Sequence, residues 1–249
     1  MPEPLLVQSL WVKGPLTLMQ ELSIASFLAH GHEYHLYTYD TDLVAPDGAT
    51  LRSGQDIIPQ EEVFCDRYGY AAFSDCFRYR LLLEQGGWWV DTDLICLKPF
   101  DIASRYVFSS EHVPAAAGTS MPNTGVIHTP PGAAIIEYAD GVCSAKDHTR
   151  VEWAELGPAL FTEAVTNFVL NSYVLPPEAF CPVPWFRFRD LLEPHIRMEF
   201  GPETYAVHLW NAIWGRHGLN TNAAYHPRCA YESWKREFLG PRRRSQASQ

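Results

Sequence analysis

The sequence predicts an α/β fold, a mainly parallel sheet flanked by helices, in one domain spanning residues 1–240 with a basic, polar tail at 241–249. Strand-like and helix-like segments alternate along the first hundred residues, the pattern that gives parallel strands joined by crossover helices. The 249-residue chain is 47% hydrophobic, which supplies enough apolar surface for one large core. "PLLVQSLWV" (4–12) reads as a buried strand. In "LTLMQELSIASFLAHG" (16–31), Leu18, Leu22, Ala25 and Leu28 or Ala29 recur at helical spacing and Gly31 provides a stop. "YHLYTYD" (34–40) is a second strand, followed by a loop rich in Asp, Gly and Pro. "AAFSDCFRYRLLLEQGG" (71–87) is a helix closed by two glycines, and "WWVD" (88–91) is the next strand. Later segments are less regular: strands at 105–110 and 124–129, helices at 131–142 and 157–170, and a late strand at 204–210.

The formal net charge is -10. That excess excludes a general nucleic-acid binder, which needs a basic face for phosphates. Six cysteines show no CxxC pair and no zinc-like spacing, so a reduced, intracellular chain is expected. Neither a signal-like start nor a run of roughly 18 apolar residues is present, so the expected location is cytoplasmic without a transmembrane segment. The tail "PRRRSQASQ" reads as solvated, with weak contact to a membrane surface as the alternative.

"GGWWVDTDLICLKPF" (86–100) raises the functional question. A dry aromatic strand ends on Asp91 and Asp93, one residue apart. Alternate residues of an extended segment face opposite ways, so both carboxylates reach one ion only where the chain turns. Such oxygen ligands suit Mn²⁺ or Mg²⁺ bridging phosphate oxygens. Asp40-Thr41-Asp42 is the same triplet in an ordinary loop and serves as an internal control. Asp75 and Arg78, three apart on one helical face, can reach the same strand end. No glycine-rich phosphate loop is present, so a diphosphate ligand here needs a cation. His30, His32 and His35 lie across a helix-to-strand turn and read as solvated rather than as metal ligands.

"FSDCFRYRLLLEQGGWWVDTDLICLKPF" resembles the glycosyltransferase family named for its DxD-containing sugar-binding region. That family includes fungal α-1,6-mannosyltransferases and globotriaosylceramide synthase, with the clostridial glucosylating toxins as distant relatives. Ser74, Asp75, Arg78, Gly86, Gly87, Asp91, Asp93, Lys98 and Pro99 fill its pattern in order. The resemblance implies a GT-A-like, Rossmann-related fold and a nucleotide-diphosphate sugar donor, UDP favoured. The acceptor is a hydroxyl of a glycan, lipid or protein. It implies metal ligation by Asp91, Asp93 and His208, with Thr92 and Trp210 in the donor-binding shell. Asp75 and Arg78 would orient the sugar and ribose, Trp11 would stack on the base, and Asn123 would contact the sugar. Retention at the anomeric carbon is also implied, with front-side attack since no carboxylate nucleophile is evident. Trp89 stands where many relatives carry tyrosine, which removes a hydroxyl. Two rivals remain: a nucleotidyltransferase that makes sugar nucleotides, and a non-catalytic nucleotide-sugar binder. "LWVKGPLT" has one lysine and one glycine where the first rival needs a basic glycine-rich loop.

Overall fold

A computed structural model describes residues 5–114 and 118–240; the tail expected at 241–249 lies outside them. The chain opens with β1 (Leu6–Leu10), α1 (Leu18–Ala29) and β2 (Glu33–Thr38). α1 starts on a capping box in which Thr17 accepts from the backbone of Met19 and Gln20 accepts from the backbone of Thr17. β3 (Ala49–Ser53) follows in the segment expected to be loop. Then come α2 (Ala71–Gln85), β4 (Gly87–Val90) and β5 (Leu94–Cys96). Gly86 ends α2 with φ +64, and a Cβ there would lie 2.4 Å from the Pro131 nitrogen, so only glycine fits this turn.

The later half contains β6 (Val107–His112), β7 (Ser120–Thr129), α3 (Ala134–Ala145), α4 (Leu160–Asn167), β8 (Ala206–His208), α5 (Asn211–Arg216) and α6 (Ala230–Phe238). The helix expected at 157–170 is shorter, because a wide turn over Glu155–Ala159 contains Gly157 in a non-helical conformation. The strand expected at 204–210 shrinks to three residues and joins β5 in a separate two-stranded sheet.

The main sheet runs β3-β2-β1-β4-β7-β6. β3, β2, β1 and β4 are parallel, and β7 and β6 add antiparallel pairings at one side. The mainly parallel expectation holds. Strand alternation divides the core. Val7, Trp88, Val90 and Val126 pack on the face that carries α1, β5 and β8, while Leu10, Trp89 and Ile127 pack with α2, α3 and α4 on the other. β1 has β2 on one side and β4 on the other, so the strand order reverses between them. In an open α/β sheet, such a reversal leaves a crevice at the carboxyl ends of the strands. No helix among the described residues is long and apolar enough to cross a membrane.

Candidate active site

A cavity of about 780 Å³ opens at that crevice, lined by Trp11, Asp75, Arg78, Asp91, Thr92, Asp93, Asn123, His208 and Trp210 among others. The volume suits a small-molecule ligand. The structure therefore gathers every sequence-selected site residue around one space. Parity along β4 explains much of the arrangement. Asp91 lies two residues beyond Trp89 and so keeps to the α2 side, where Arg78 Nη2 meets its Oδ1 at 3.2 Å. Arg78 Nη1 also pairs with Asp75 Oδ1 at 3.2 Å and donates to the Thr124 carbonyl at 2.8 Å. One guanidinium thus holds two carboxylates, and Ser74 Oγ accepts from Nη2 at 3.3 Å. This explains why serine, aspartate and arginine share one turn of α2.

After Asp91 the chain turns at Thr92-Asp93 and enters β5. The turn brings Asp93 to β8, where His208 Nε2 lies 3.1 Å from Asp93 Oδ1. The Asn211 N–H donates to Asp93 Oδ2 at 2.7 Å. Trp210, in the left-handed region at φ +64, makes the bend that presents this N–H, and its ring stacks on His208 with centroids 4.0 Å apart. Asp91, Asp93 and His208 each offer a ligand atom, and these atoms lie within 4.8 Å of one another. Asp91 is the most open of the three, with 24% of its side chain exposed.

Burial pushes the Asp75 carboxyl up to about 6, against the opposing charge of Arg78. Burial likewise raises Asp91, with Arg78 again opposing and Asp93 adding to the rise. Asp93 goes the other way: burial would raise it, but the charge and hydrogen bond of His208 and the Asn211 N–H hold it below the usual range. His208 is raised well above its ordinary value, because Asp93 and its contact with Cys181 overcome the cost of burial. Two buried cations thus face three carboxylates. A divalent cation fits this donor set: two carboxylates and an imidazole at the mouth of a polar pocket, with charge left to neutralise. Asp91, Asp93 and His208 are the residues that would hold it.

Several partners were not legible in sequence. Trp89 Nε1 donates to Asp91 Oδ1 at 2.9 Å, so the indole supplies a donor where a tyrosine hydroxyl was expected to be lost. Asn123 lines the cavity, but its amide is fully engaged inside the protein. Ser109 and the Gly125 N–H donate to Oδ1, and Nδ2 donates to Glu111 at 3.2 Å and to the Cys181 sulfur at 3.3 Å. These bonds tie Asn123 to β6, β7 and Cys181, so a sugar contact there would compete with partners inside the protein. Its neighbours do touch the site, since Thr124 Oγ1 donates to Asp75 at 3.4 Å and the Gly125 carbonyl accepts from the Asp91 N–H at 2.8 Å. Cys181 Sγ sits 3.8 Å from His208 Nδ1, and Glu111 presents a further carboxylate to the cavity.

Other readings are settled by packing. Asp40-Thr41-Asp42 is a turn: Asp40 accepts from the N–H of Gly14 at 2.8 Å and of Asp42 at 3.0 Å. His32 and His35 are buried rather than solvated. The first bridges the Leu5 carbonyl and the Phe100 N–H, and the second pairs with Glu33. Lys98 stacks on Tyr205 at 3.9 Å and does not line the cavity. All six cysteines are free thiols. Trp11 sits at the cavity edge beyond β1, its Nε1 donating to the Gly14 carbonyl at 2.8 Å.

Comparison with known proteins agrees with this geometry. The mouse (Mus musculus) lactosylceramide 4-alpha-galactosyltransferase is 27% identical over 165 residues, covering 58% of this chain and 42% of that protein. The Rattus norvegicus enzyme of the same name is 27% identical over 159 residues with the same coverage. The chain thus spans about 42% of the length of the curated relatives it matches. The solved structure titled PaToxG glycosyltransferase superposes with a TM-score of 0.50 at 17% identity, covering 69% of this chain and 72% of that one; it speaks to the fold alone. The family described as alpha 1,4-glycosyltransferase conserved region matches residues 145–238, and the glycosyltransferase sugar-binding region containing a DXD motif matches 20–109. The first match contains His208 and Trp210, the second Asp75, Arg78, Asp91 and Asp93, so the chain is similar over both segments to glycosyltransferases with a DXD-containing sugar-binding region.

Proposed function

We propose that the protein transfers a hexose from a nucleotide-diphosphate sugar, UDP favoured, to an acceptor hydroxyl, with Mn²⁺ or Mg²⁺ held by Asp91, Asp93 and His208. One observation carries the reading: these three residues converge at a cavity already held in shape by the Asp75–Arg78–Asp91 chain. The similarity to lactosylceramide 4-alpha-galactosyltransferases favours galactose as the hexose and a glycolipid as acceptor.

Bound there, the cation supplies Lewis acidity toward the diphosphate and offsets charge developing on the leaving group. Arg78 fixes the Asp91 carboxylate and keeps Asp75 in place to accept hydroxyls of the donor's sugar or ribose, a positioning role. Trp11 offers a ring at the end of β1 for the base. Thr92, between the two aspartates, lines the space beside the diphosphate. Trp210 stacks on His208 and fixes the imidazole plane, while Asn211 fixes Asp93. The bond from the anomeric carbon to the diphosphate oxygen breaks with its electron pair left on that oxygen. The acceptor oxygen bonds to the same carbon from the same face, and its proton passes to the departing phosphate, so configuration is retained. The family resemblance supports this stereochemistry.

A panel of UDP- and GDP-sugars incubated with the protein and Mn²⁺ tests the proposal. Release of nucleoside diphosphate and free or transferred sugar is expected with one UDP-hexose and should cease on chelation. Asp93→Asn should lower turnover by at least a hundredfold while leaving the circular-dichroism spectrum unchanged. Full activity after chelation or in that variant would refute the assignment. Pyrophosphate-dependent exchange would support a nucleotidyltransferase, and nucleotide binding without turnover a non-catalytic relative.

A further inference from the structure

At the cavity mouth, on the side supplied by the later half of the chain, Trp153 keeps 38% of its surface exposed although it is a large hydrophobic residue. Tyr68, Trp153 and Arg216 all line the cavity. The Arg216 guanidinium lies 3.5 Å from the Trp153 ring centroid, and Tyr68 meets the same ring edge-on at 5.2 Å. We propose that this aromatic platform is the acceptor subsite and that it takes a pyranose ring of a carbohydrate. The proposal rests on the transferase reading and names the substrate class of its second half-site.

The segment carrying Trp153 is held in place before any ligand arrives. Glu152 pairs with Arg67 at 2.5 Å, and its N–H donates to Glu155 at 2.9 Å. Glu155 is tied in turn to Lys146. Ala154 sits in the left-handed region at φ +63, a conformation unfavourable for a residue with a Cβ and one that persists where surrounding contacts impose it. Of the three described non-glycine residues with positive φ, two, Ala154 and Trp210, line this cavity. A strained, cross-tied segment that leaves a tryptophan half-bare is costly for a surface loop and suits a platform built in advance, which reduces the ordering cost of binding.

The chemistry selects a sugar. A pyranose has an apolar face of C–H groups and a polar edge of hydroxyls. Trp153 and Tyr68 match the face. Arg216, held by ring planes, and Glu152, next to Trp153 in the chain and also lining the cavity, match the edge with donors and acceptors. Asp91 and Asp93 line the same cavity, so a hydroxyl of a sugar resting here can be directed at the donor.

The test uses the whole protein with Mn²⁺ and UDP, and methyl β-D-galactopyranoside and methyl β-D-glucopyranoside as probes. Saturation-transfer NMR should show ring C–H contact in the wild type, reduced at least fivefold in Trp153→Ala and restored in Trp153→Phe. Arg216→Gln should weaken the signal as well. In steady-state assays with soluble saccharide acceptors, Trp153→Ala should raise the acceptor KM at least tenfold and shift the donor KM less than threefold. A saccharide signal that survives intact in Trp153→Ala, or equal loss of donor and acceptor affinity, would overturn the subsite. So would a peptide acceptor used equally well by both proteins. Saccharide binding lost in Trp153→Ala without turnover in the wild type would support the subsite and count against the transferase reading alone.

Discussion

Single atoms decide how the acidic cluster is held. Asp91 depends on one indole N–H and one guanidinium. Trp89→Phe removes the N–H and keeps an aromatic ring against Phe77, so the fold should survive while Mn²⁺ affinity, read by electron paramagnetic resonance, falls roughly tenfold, the lower range for a lost outer partner. Asp75 makes a separate statement about pH. Its folded carboxyl is raised to about 6 from an ordinary 3.8, so the native state binds its proton more tightly than the unfolded chain. The stability associated with the neutral form is complete below pH 3.8 and is lost as pH rises through 6. Asp75→Asn stays neutral throughout. Denaturation curves at pH 4 and pH 7 should therefore show the wild type losing about 2 kcal/mol relative to the variant over that window.

At the scale of elements, the site is a meeting of turns. The wide turn before α4 brings Gly157 against the back of Asp75, where a Cβ would lie 2.7 Å from Oδ2 and 2.9 Å from Oδ1. Gly157→Ala must therefore displace the carboxylate from Arg78. Turnover should fall at least tenfold, and the pH window described for Asp75 should shift, although Gly157 itself touches no substrate; an unchanged rate would show that Asp75 needs no fixed position. The same scale explains what sequence reading missed. β3 is exposed along most of its length, and an edge strand of the main sheet has no need of an apolar stripe, so "ATLRS" reads as loop. β5 has three residues, too few for a period. Conversely, α2 was legible almost to the residue, because its apolar period, its Ser-Asp-x-x-Arg face and its two glycines all point to the same structure.

For the whole molecule, the cluster should link ligand binding to stability. Apart from the cation it would hold, it sets three carboxylates against Arg78 and His208 in a buried place, so ion binding to the native state alone should stabilise it. At a hundredfold excess over Kd the gain is about 2.7 kcal/mol, which for a chain of this size is roughly 5–10 °C in Tm. Differential scanning fluorimetry with Mn²⁺ should show this rise, chelator should reverse it, and Asp93→Asn should abolish it. The sheet-order reversal at β1 and β4 places the cluster at the open end of the sheet, with the later half of the chain forming the opposite wall.

Local sequence determined the parallel α/β frame and the helix that carries Asp75 and Arg78, while the turn that lets Asp91 and Asp93 converge was only a condition that the structure meets. These are near-neighbour properties: period, glycine stops and strand parity act within a few residues. The family resemblance pointed to His208, but only the tertiary structure decided how a residue 115 positions away meets Asp93, because that contact follows from the register in which β8 faces β5. The same holds for Asn123, whose amide the fold spends on Ser109, Glu111 and Cys181, and for Trp153 and Arg216. Nothing in their local sequence marks them, since their meeting is set by how the irregular later half closes over the end of the sheet.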